Sequence, residues 1–185
     1  MENKTTCKKL EHRSVYRGRV LTLEVDRIIE PGGIQVEREI IRHAGAAVIL
    51  AVTGERRLVL VRQFRYAVGE FLWEIAAGHI DSGEAPEETA RRELTEETGY
   101  YPRRLEKLST FYPSPGFSDE IMHLFLATDL EYRSPCPEED ESIEVGLFTM
   151  EEALLMVSRG EICDGKTLLG LMLLGNRENI PLDAC

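Results

Sequence analysis

Acidic residues crowd one short stretch of the chain, GHIDSGEAPEETARRELTEETGY, from Gly78 to Tyr100. Glu93 lies three residues before Glu96 and four before Glu97, so a helix would place their carboxylates on one face. Like charges at this spacing destabilise an isolated helix by roughly 0.2–0.5 kcal/mol per pair. A divalent cation would reverse the sign of that effect, because Mg²⁺ prefers hard oxygen ligands. The pattern therefore predicts either a metal-binding face or an acidic helix surface exposed to solvent.

Residues that start and stop helices bound this acidic run. Pro86 has a fixed, helix-compatible φ and suits the first turn, and Gly99 accepts the left-handed conformation that ends helices. Arg91 and Arg92 lie inside the run, where a guanidinium can hold carboxylates in fixed orientations. Glu84 precedes the helix in a glycine-bounded loop that can approach a ligand closely. These details favour the metal-binding alternative.

The spacing of these residues resembles the Nudix box of the Nudix hydrolases. The matching positions are Gly78, Glu84, Arg92-Glu93-Leu94, Glu96-Glu97 and Gly99, with Tyr100 in the final aliphatic position. The resemblance implies that two or three Mg²⁺ ions, or Mn²⁺ in their place, are held by Ala77 through its carbonyl and by Glu93, Glu96 and Glu97. It also implies that Arg92 and Glu84 orient these carboxylates.

Other segments resemble the ADP-ribose pyrophosphatase branch of that family. They are the RQFR stretch that ends at Arg65, the acidic and apolar approach to the box at Glu74, and a Ser-Pro-Gly loop at Pro115 and Gly116. The resemblance implies that these four residues contact a nucleoside diphosphate sugar. It further implies that the N-terminal pair Arg19 and Val20 encloses the adenine. In the alternative interpretation, Arg62 and Arg65 merely cap a strand and pair with surface acids.

A polar, acidic segment, CPEEDESIE, extends from Cys136 to Glu144. Such a segment can be a solvated connector, but relatives place a carboxylate from this loop near the metals. The resemblance thus implies Glu139 or Glu141 as the general base, with Glu96 as the rival. The implied reaction converts ADP-ribose and water to AMP and ribose 5-phosphate. Two alternatives stay open: hydrolysis of another nucleoside diphosphate sugar or a dinucleotide, and a non-catalytic ADP-ribose sensor.

Hydrophobic periodicity predicts the elements that position these residues. Mostly alternating residues from 14 to 41 predict two or three strands, and the apolar runs 46–52 and 57–64 predict a hairpin in the middle of a covered sheet. Further strands are predicted at 103–114, 120–128 and 145–150, and helices at 150–159 and 166–174. Together with the resemblance, this predicts an α/β protein: a Nudix α/β/α sandwich with a mixed central sheet over residues 43–185. An N-terminal β-ribbon over residues 1–42 precedes it and, as in relatives, builds a homodimer.

Composition restricts the function classes. The chain has 185 residues, of which 43% are hydrophobic and 30% charged, typical of one soluble globular domain. Its formal charge of −11 argues against nucleic acid as a partner, since phosphate binding needs a basic face. No apolar run approaches the ~20 residues that span a bilayer, and the polar N-terminus does not resemble a secretory signal, so a cytoplasmic enzyme is expected. Four scattered cysteines predict free thiols.

Overall fold

The structure is a computed structural model that describes residues 6–134 and 142–179, with side chains described as far as residue 177. The chain divides into two compact units. The first unit consists of Met1–Gly45 and Tyr112–Ile121, and the second consists of Ala46–Phe111 and Met122–Cys185. Among the described residues, no helix combines the length and apolar character that crossing a membrane requires. Cys7 and Cys163 are exposed free thiols, as predicted.

The first unit is built on an antiparallel meander. Its three strands, in spatial order, are β1 (Lys8–Arg17), β2 (Leu21–Ile29) and β3 (Gln35–His43). Gly32 and Gly33 form the turn between β2 and β3 with φ values of 122° and 89°, which glycine adopts without strain. The loop 112–121 attaches to β3, because Ile41 N donates to Phe117 O at 2.8 Å and Asp119 N donates to Ile41 O at 3.1 Å. The predicted N-terminal β-ribbon is confirmed as a three-stranded sheet.

The second unit contains the other strands and the helices. These are β4 (Ala46–Val52), β5 (Leu58–Arg65), β6 (Glu70–Glu74), β7 (Ala76–His79), α1 (Pro86–Thr98), β8 (Tyr100–Phe111), β9 (Met122–Tyr132), β10 (Glu144–Phe148), α2 (Met150–Ser158) and α3 (Gly165–Asn179). The sheet order is β10-β5-β4-β9-β8, with β6 paired to β5 and β7 paired to β4. Strands β4 and β9 are parallel, whereas the other named pairs are antiparallel. The predicted mixed sheet is confirmed.

Helices cover both faces of this sheet. On β4, Val48 and Leu50 pack in one buried cluster with Leu171 of α3. Their neighbour Ile49 points to the opposite face and packs in a second cluster with Leu94 of α1. Successive strand residues alternate between faces, so a strand covered on both sides must be apolar throughout. This explains the unbroken apolar run of β4 and confirms the α/β/α sandwich.

Two strands were not predicted from the sequence. Strand β6 pairs antiparallel with β5 after a turn that includes Gly69, where φ is 74°. Strand β7 is a four-residue segment, AAGH, without an alternating pattern, and it exists because it pairs with β4 from Ala46↔His79 to Ile49↔Ala76. Its position matters because β7 leads directly into the loop before α1.

Candidate active site

Helix α1 forms over the residues that the sequence predicted. Pro86 occupies its first turn, and Ala85 before it is extended with φ −79° and ψ 144°. Gly99 ends the helix in the left-handed conformation with φ 76°, and its N–H donates to Thr95 O at 2.9 Å. The Glu88 carboxylate accepts from Ala85 N at 3.2 Å and closes the first turn. These local signals fix which residues of α1 face the sheet and which form its acidic side.

Arg92 lies at the centre of the acidic side and joins three carboxylates. Its Nε and Nη2 donate to the two oxygens of Glu84 at 3.1 and 3.0 Å. Its Nη1 donates to Glu93 Oε1 at 2.7 Å and to Glu96 Oε2 at 3.1 Å. The hydrogen bonds to Glu84 and then to Glu93 hold the pKa of Arg92 well above its ordinary value. The guanidinium thus orders carboxylates that would otherwise repel one another.

Glu84 anchors this network from the loop that precedes α1. The hydrogen bond from Arg92 is the main reason that its pKa falls from 4.5 to about 2, and Thr89 Oγ1 adds a further hydrogen bond at 2.7 Å. Both carboxylate oxygens of Glu84 accept hydrogen bonds from Arg92. Glu84 is therefore ionised at neutral pH and is engaged in holding Arg92.

Gly78 on β7 makes room for Glu93. A Cβ atom at position 78 would lie 1.9 Å from Glu93 Cδ and 2.0 Å from Glu93 Oε1, closer than any real contact. The Glu93 carboxylate therefore rests directly against the main chain of β7, next to Ala77. Only glycine at position 78 allows this approach, which explains its place in the motif.

The remaining two acids of the cluster differ in exposure. The Glu97 residue is buried, with 4% exposure, whereas the Glu96 side chain is 41% exposed. Glu93, Glu96 and Glu97 supply carboxylate oxygens from α1, and the Ala77 carbonyl lies on β7 beside Gly78, where Glu93 approaches the main chain. This chemistry fits a divalent cation of the Mg²⁺ type. In this structure, Arg92 supplies the positive charge between Glu93 and Glu96.

A tighter cluster of ligand atoms lies in the first unit. It consists of His12, Glu24 and Asp26, whose possible ligand atoms all lie within 4.8 Å of one another; it is the one such group among the described residues. Lys9 Nζ already lies 2.6 Å from Asp26, and Arg42 Nε donates to Glu24 at 2.8 Å. The hydrogen bond from Lys9 is the main cause of the lowered pKa of Asp26, and His12 adds to it. This cluster is already neutralised by protein cations, so it fits a structural ion network.

Arg65 at the end of β5 donates two hydrogen bonds to the buried Glu74 carboxylate on β6. Its Nε donates to Glu74 Oε1 at 2.9 Å and its Nη2 donates to Glu74 Oε2 at 2.6 Å. The Glu74 side chain is 1% exposed and the Arg65 side chain is 39% exposed. The hydrogen bond to Glu74 is the main cause of the raised pKa of Arg65, and the negative charges of Glu97 and Asp164 add to it. Arg65 therefore lies within electrostatic reach of the acidic helix.

The neighbouring Arg62 behaves differently. It pairs with Glu144 at 3.2 Å, and both side chains are substantially exposed. The strand-capping alternative thus describes Arg62, whereas the buried partner of Arg65 sets Arg65 apart.

Lys166 on α3 is a third member of the Arg65–Glu74 group, and it was missed from the sequence. Its Nζ donates to Glu74 Oε2 at 2.6 Å, and its side chain is 9% exposed. Burial raises the pKa of Glu74, but hydrogen bonds and charges from Arg65 and Lys166 outweigh burial and leave that pKa below its ordinary value. A lysine at the start of the apolar helix sequence GKTLLGLMLL was the available signal, since lysine is rarely buried unless paired.

The other predicted site residues belong to two exposed loops or to the segment outside the described residues. Pro115 and Gly116 are exposed in the loop between β8 and β9, and Arg19 and Val20 are exposed between β1 and β2. All four belong to the first unit, whereas the metal-face residues, Arg65 and Glu74 belong to the second. The predicted base candidates Glu139 and Glu141 lie outside the described residues.

Comparisons with known proteins identify the family of this chain and a structure with the same fold. The NUDIX domain family matches residues 42–168. An ADP-ribose pyrophosphatase of Bacillus subtilis (strain 168) is 42% identical, over 96% of this chain and 95% of its own. A methanol dehydrogenase activator of Bacillus methanolicus is 39% identical, over 92% of this chain and 94% of its own. A solved structure, "Crystal structure of ADP compounds hydrolase", has a TM-score of 0.82 at 22% identity, over 94% of this chain and 95% of its own, and shows the same fold.

The family match spans most of the second unit and includes every residue of the acidic motif on α1. Enzymes of this family generally require divalent cations. The contact of Glu93 with Gly78 and the hydrogen bonds of Arg92 are consistent with this match. Because the family model and relatives align with most of its length, the chain belongs to the Nudix family and is a Nudix hydrolase.

Proposed function

We propose that this chain hydrolyses the diphosphate of ADP-ribose to AMP and ribose 5-phosphate, with Mg²⁺ or alternatively Mn²⁺ as the cofactor. The observation that carries the proposal is the partly exposed Arg65, which is held by buried Glu74 and is influenced by the negative charge of Glu97 on α1. A guanidinium in this position can bind a phosphate through two hydrogen bonds. The name and the near-complete alignment of the Bacillus subtilis relative support ADP-ribose as the substrate.

The metal ligands in this proposal are the Ala77 carbonyl and the carboxylates of Glu93, Glu96 and Glu97. When bound there, a divalent cation neutralises charge on the diphosphate and lowers the pKa of water. Arg92 keeps Glu93 and Glu96 in place and itself stays fixed by Glu84. In this way Arg92 orients the ligands and does not touch the reacting atoms.

A general base must take a proton from the attacking water. We assign this role to Glu139 or Glu141, with Glu96 as the rival. The 41% exposure of the Glu96 side chain supports the rival, since an exposed carboxylate has access to water. A base within hydrogen-bond reach of water contributes typically about 10²- to 10⁴-fold to the rate.

The substrate contacts in this proposal are assigned to Arg65, Glu74, Pro115, Gly116, Arg19 and Val20. Arg65 donates to a phosphate of the substrate, and Glu74 fixes its orientation. Pro115 and Gly116 present main-chain groups to the terminal ribose, and the Arg19–Val20 pair encloses the adenine. This part of the proposal rests on the resemblance of these segments to ADP-ribose pyrophosphatases.

We further propose a cytoplasmic homodimer in which residues 1–42 form the dimerisation segment and residues 43–185 the hydrolase domain. The ten residues of β1 are all exposed, including the apolar Val15 at 48% and Tyr16 at 60%. A strand with so much accessible surface favours pairing with a second chain. Sedimentation of the full chain and of a variant lacking residues 1–17 would test this arrangement.

Product identification tests the proposed reaction. Purified chain with ADP-ribose and Mg²⁺ should give AMP and ribose 5-phosphate in equal amounts, and chelation of the metal should stop the reaction. Binding of ADP-ribose without products would instead indicate a sensor. Turnover of another nucleoside diphosphate sugar or a dinucleotide, but not of ADP-ribose, would keep the Nudix chemistry and overturn the substrate.

A further inference from the structure

Two consecutive residues of α3 bind Glu74, the last residue of β6, and Ile75, which follows it. Lys166 Nζ donates to Glu74 Oε2 at 2.6 Å, and Thr167 Oγ1 accepts from Ile75 N at 2.9 Å. Asp164 caps this end of α3, since its Oδ2 accepts from Thr167 N at 3.0 Å and Thr167 Oγ1 at 2.6 Å. The start of α3 is therefore attached at two points to the segment that leads into β7.

The Glu74 carboxylate is shared between two cations. Its Oε2 accepts from Arg65 Nη2 and from Lys166 Nζ, both at 2.6 Å, and its Oε1 accepts from Arg65 Nε at 2.9 Å. Glu74 engages one edge of the guanidinium, through Nε and Nη2. A guanidinium has five N–H donors, so the Nη1 edge can donate to a second anion. The Arg65 side chain is 39% exposed, so the protein encloses it only in part.

Lys166 is in a different position from Arg65. Its side chain is 9% exposed, and its ammonium also lies 3.1 Å from Asp164 Oδ2. Lys166 therefore forms ion pairs with two protein carboxylates. It is suited to act through Glu74 and not by contact with a substrate. Arg65 and Lys166 together balance the charges of Glu74 and Asp164. Without Lys166, these two carboxylates would leave excess negative charge near Arg65 and weaken its attraction for another anion.

We infer that Lys166 is a positioning residue for Arg65. Lys166 pairs with the Glu74 carboxylate, which in turn aligns the Arg65 guanidinium. Lys166 also offsets negative charge that would otherwise weaken the attraction of Arg65 for an anion. This inference rests on the proposed function, in which Arg65 binds the substrate diphosphate. It assigns α3 a part in substrate binding that its distance in sequence from the acidic motif does not suggest.

A double-mutant cycle on the full-length chain tests the inference. Lys166→Met keeps an apolar stem and removes the charge, and it should raise KM for ADP-ribose about tenfold while kcat falls less than about threefold. In an Arg65→Ala background, the same change should alter KM less than about twofold, because the residue through which Lys166 acts is gone. Lys166→Arg, which keeps the charge, should recover most of the loss.

The matched control is Arg177→Met, which removes one positive charge from the far end of the same helix, where Arg177 pairs with Glu106. It should leave KM unchanged. Thermal unfolding of each variant reports on folding. If Lys166→Met does not fold, Lys166→Gln, which keeps a donor without the charge, takes its place in the cycle.

Three results would overturn the inference: equal increases in KM in both backgrounds, a fall in kcat with KM unchanged, or no effect of Arg65→Ala itself on KM. A preference for another nucleoside diphosphate compound would overturn only the proposed substrate. The same cycle measured with that compound would then decide the role of Lys166 separately.

Discussion

The Glu93 carboxylate occupies the space in which a side chain at position 78 would stand, since a Cβ atom on Gly78 would lie 1.9 Å from Glu93 Cδ. Gly78→Ala should therefore displace Glu93 from the main chain of β7 and lower kcat by at least about tenfold. Gly54→Ala is the matched control, because a Cβ atom there meets nothing within 4 Å. Steady-state kinetics of both variants check this, and a Gly78→Ala enzyme with unchanged kcat would show that the close approach is dispensable.

Glu93 and Glu97 should be essential for turnover. Replacing either one with Gln keeps the size of the side chain and removes a charged ligand, so kcat should fall about 10²- to 10³-fold, or roughly 3–4 kcal/mol. The fold should persist, because repulsion on this face decreases. Circular dichroism and kcat at saturating Mg²⁺ measure the two effects. Near-normal turnover in both variants would remove these carboxylates from the metal site.

The Arg92–Glu84 pair should make stability depend on pH in the acid range. The pKa of Glu84 is about 2 in the folded chain against an ordinary 4.5. A lowered folded-state pKa stabilises the fold fully above about pH 4.5, and this contribution is lost as the pH falls towards 2. The difference in the free energy of unfolding between wild type and Glu84→Gln should therefore shrink over that range.

Urea unfolding at a series of pH values measures this difference. Glu87→Gln, which removes an exposed carboxylate from the first turn of the same helix, is the control. A difference between wild type and Glu84→Gln that stays constant from pH 6 to pH 2.5 would contradict the role of the ion pair.

The general base should be identified by its effect on turnover alone. Glu139→Gln or Glu141→Gln should lower kcat by about 10²-fold or more with little change in the substrate Kd, because a base acts only in the reaction. Glu138→Gln and Asp140→Asn serve as neighbouring controls with weaker expected effects. Equally mild effects of all four substitutions would contradict a base in this segment. Glu96 would then be the assigned base, and Glu96→Gln would be measured in the same way.

Local signals explain which elements could be predicted from the sequence. Pro86 and Gly99 bound α1 through their own backbone preferences, so the helix and its acidic side follow from a short stretch. Strand β7 depends on pairing with β4, and no pattern within AAGH predicts it. The contact of Lys166 with Glu74 spans 92 residues of sequence, and such contacts are created by the fold. The role of Arg92 in orienting the carboxylates is expected from the motif, whereas its individual hydrogen bonds are seen only in the folded chain.

We expect substrate preference to depend on Arg65, which Glu74 holds through two hydrogen bonds. The resemblance of three separate segments to ADP-ribose pyrophosphatases supports ADP-ribose as the preferred substrate. Polar contacts of this kind discriminate strongly, because an analogue that leaves buried donors unpaired loses binding free energy. Arg65→Ala should raise KM for ADP-ribose. It should also reduce the ratio of kcat/KM for ADP-ribose to kcat/KM for other substrates.

The ratio of kcat/KM values across a substrate panel tests the central claim most directly. With Mg²⁺, kcat/KM for ADP-ribose should exceed that for GDP-mannose and for diadenosine polyphosphates by at least about tenfold, or roughly 1.4 kcal/mol. A purified enzyme that prefers GDP-mannose or a diadenosine polyphosphate would contradict the assignment of ADP-ribose as the substrate.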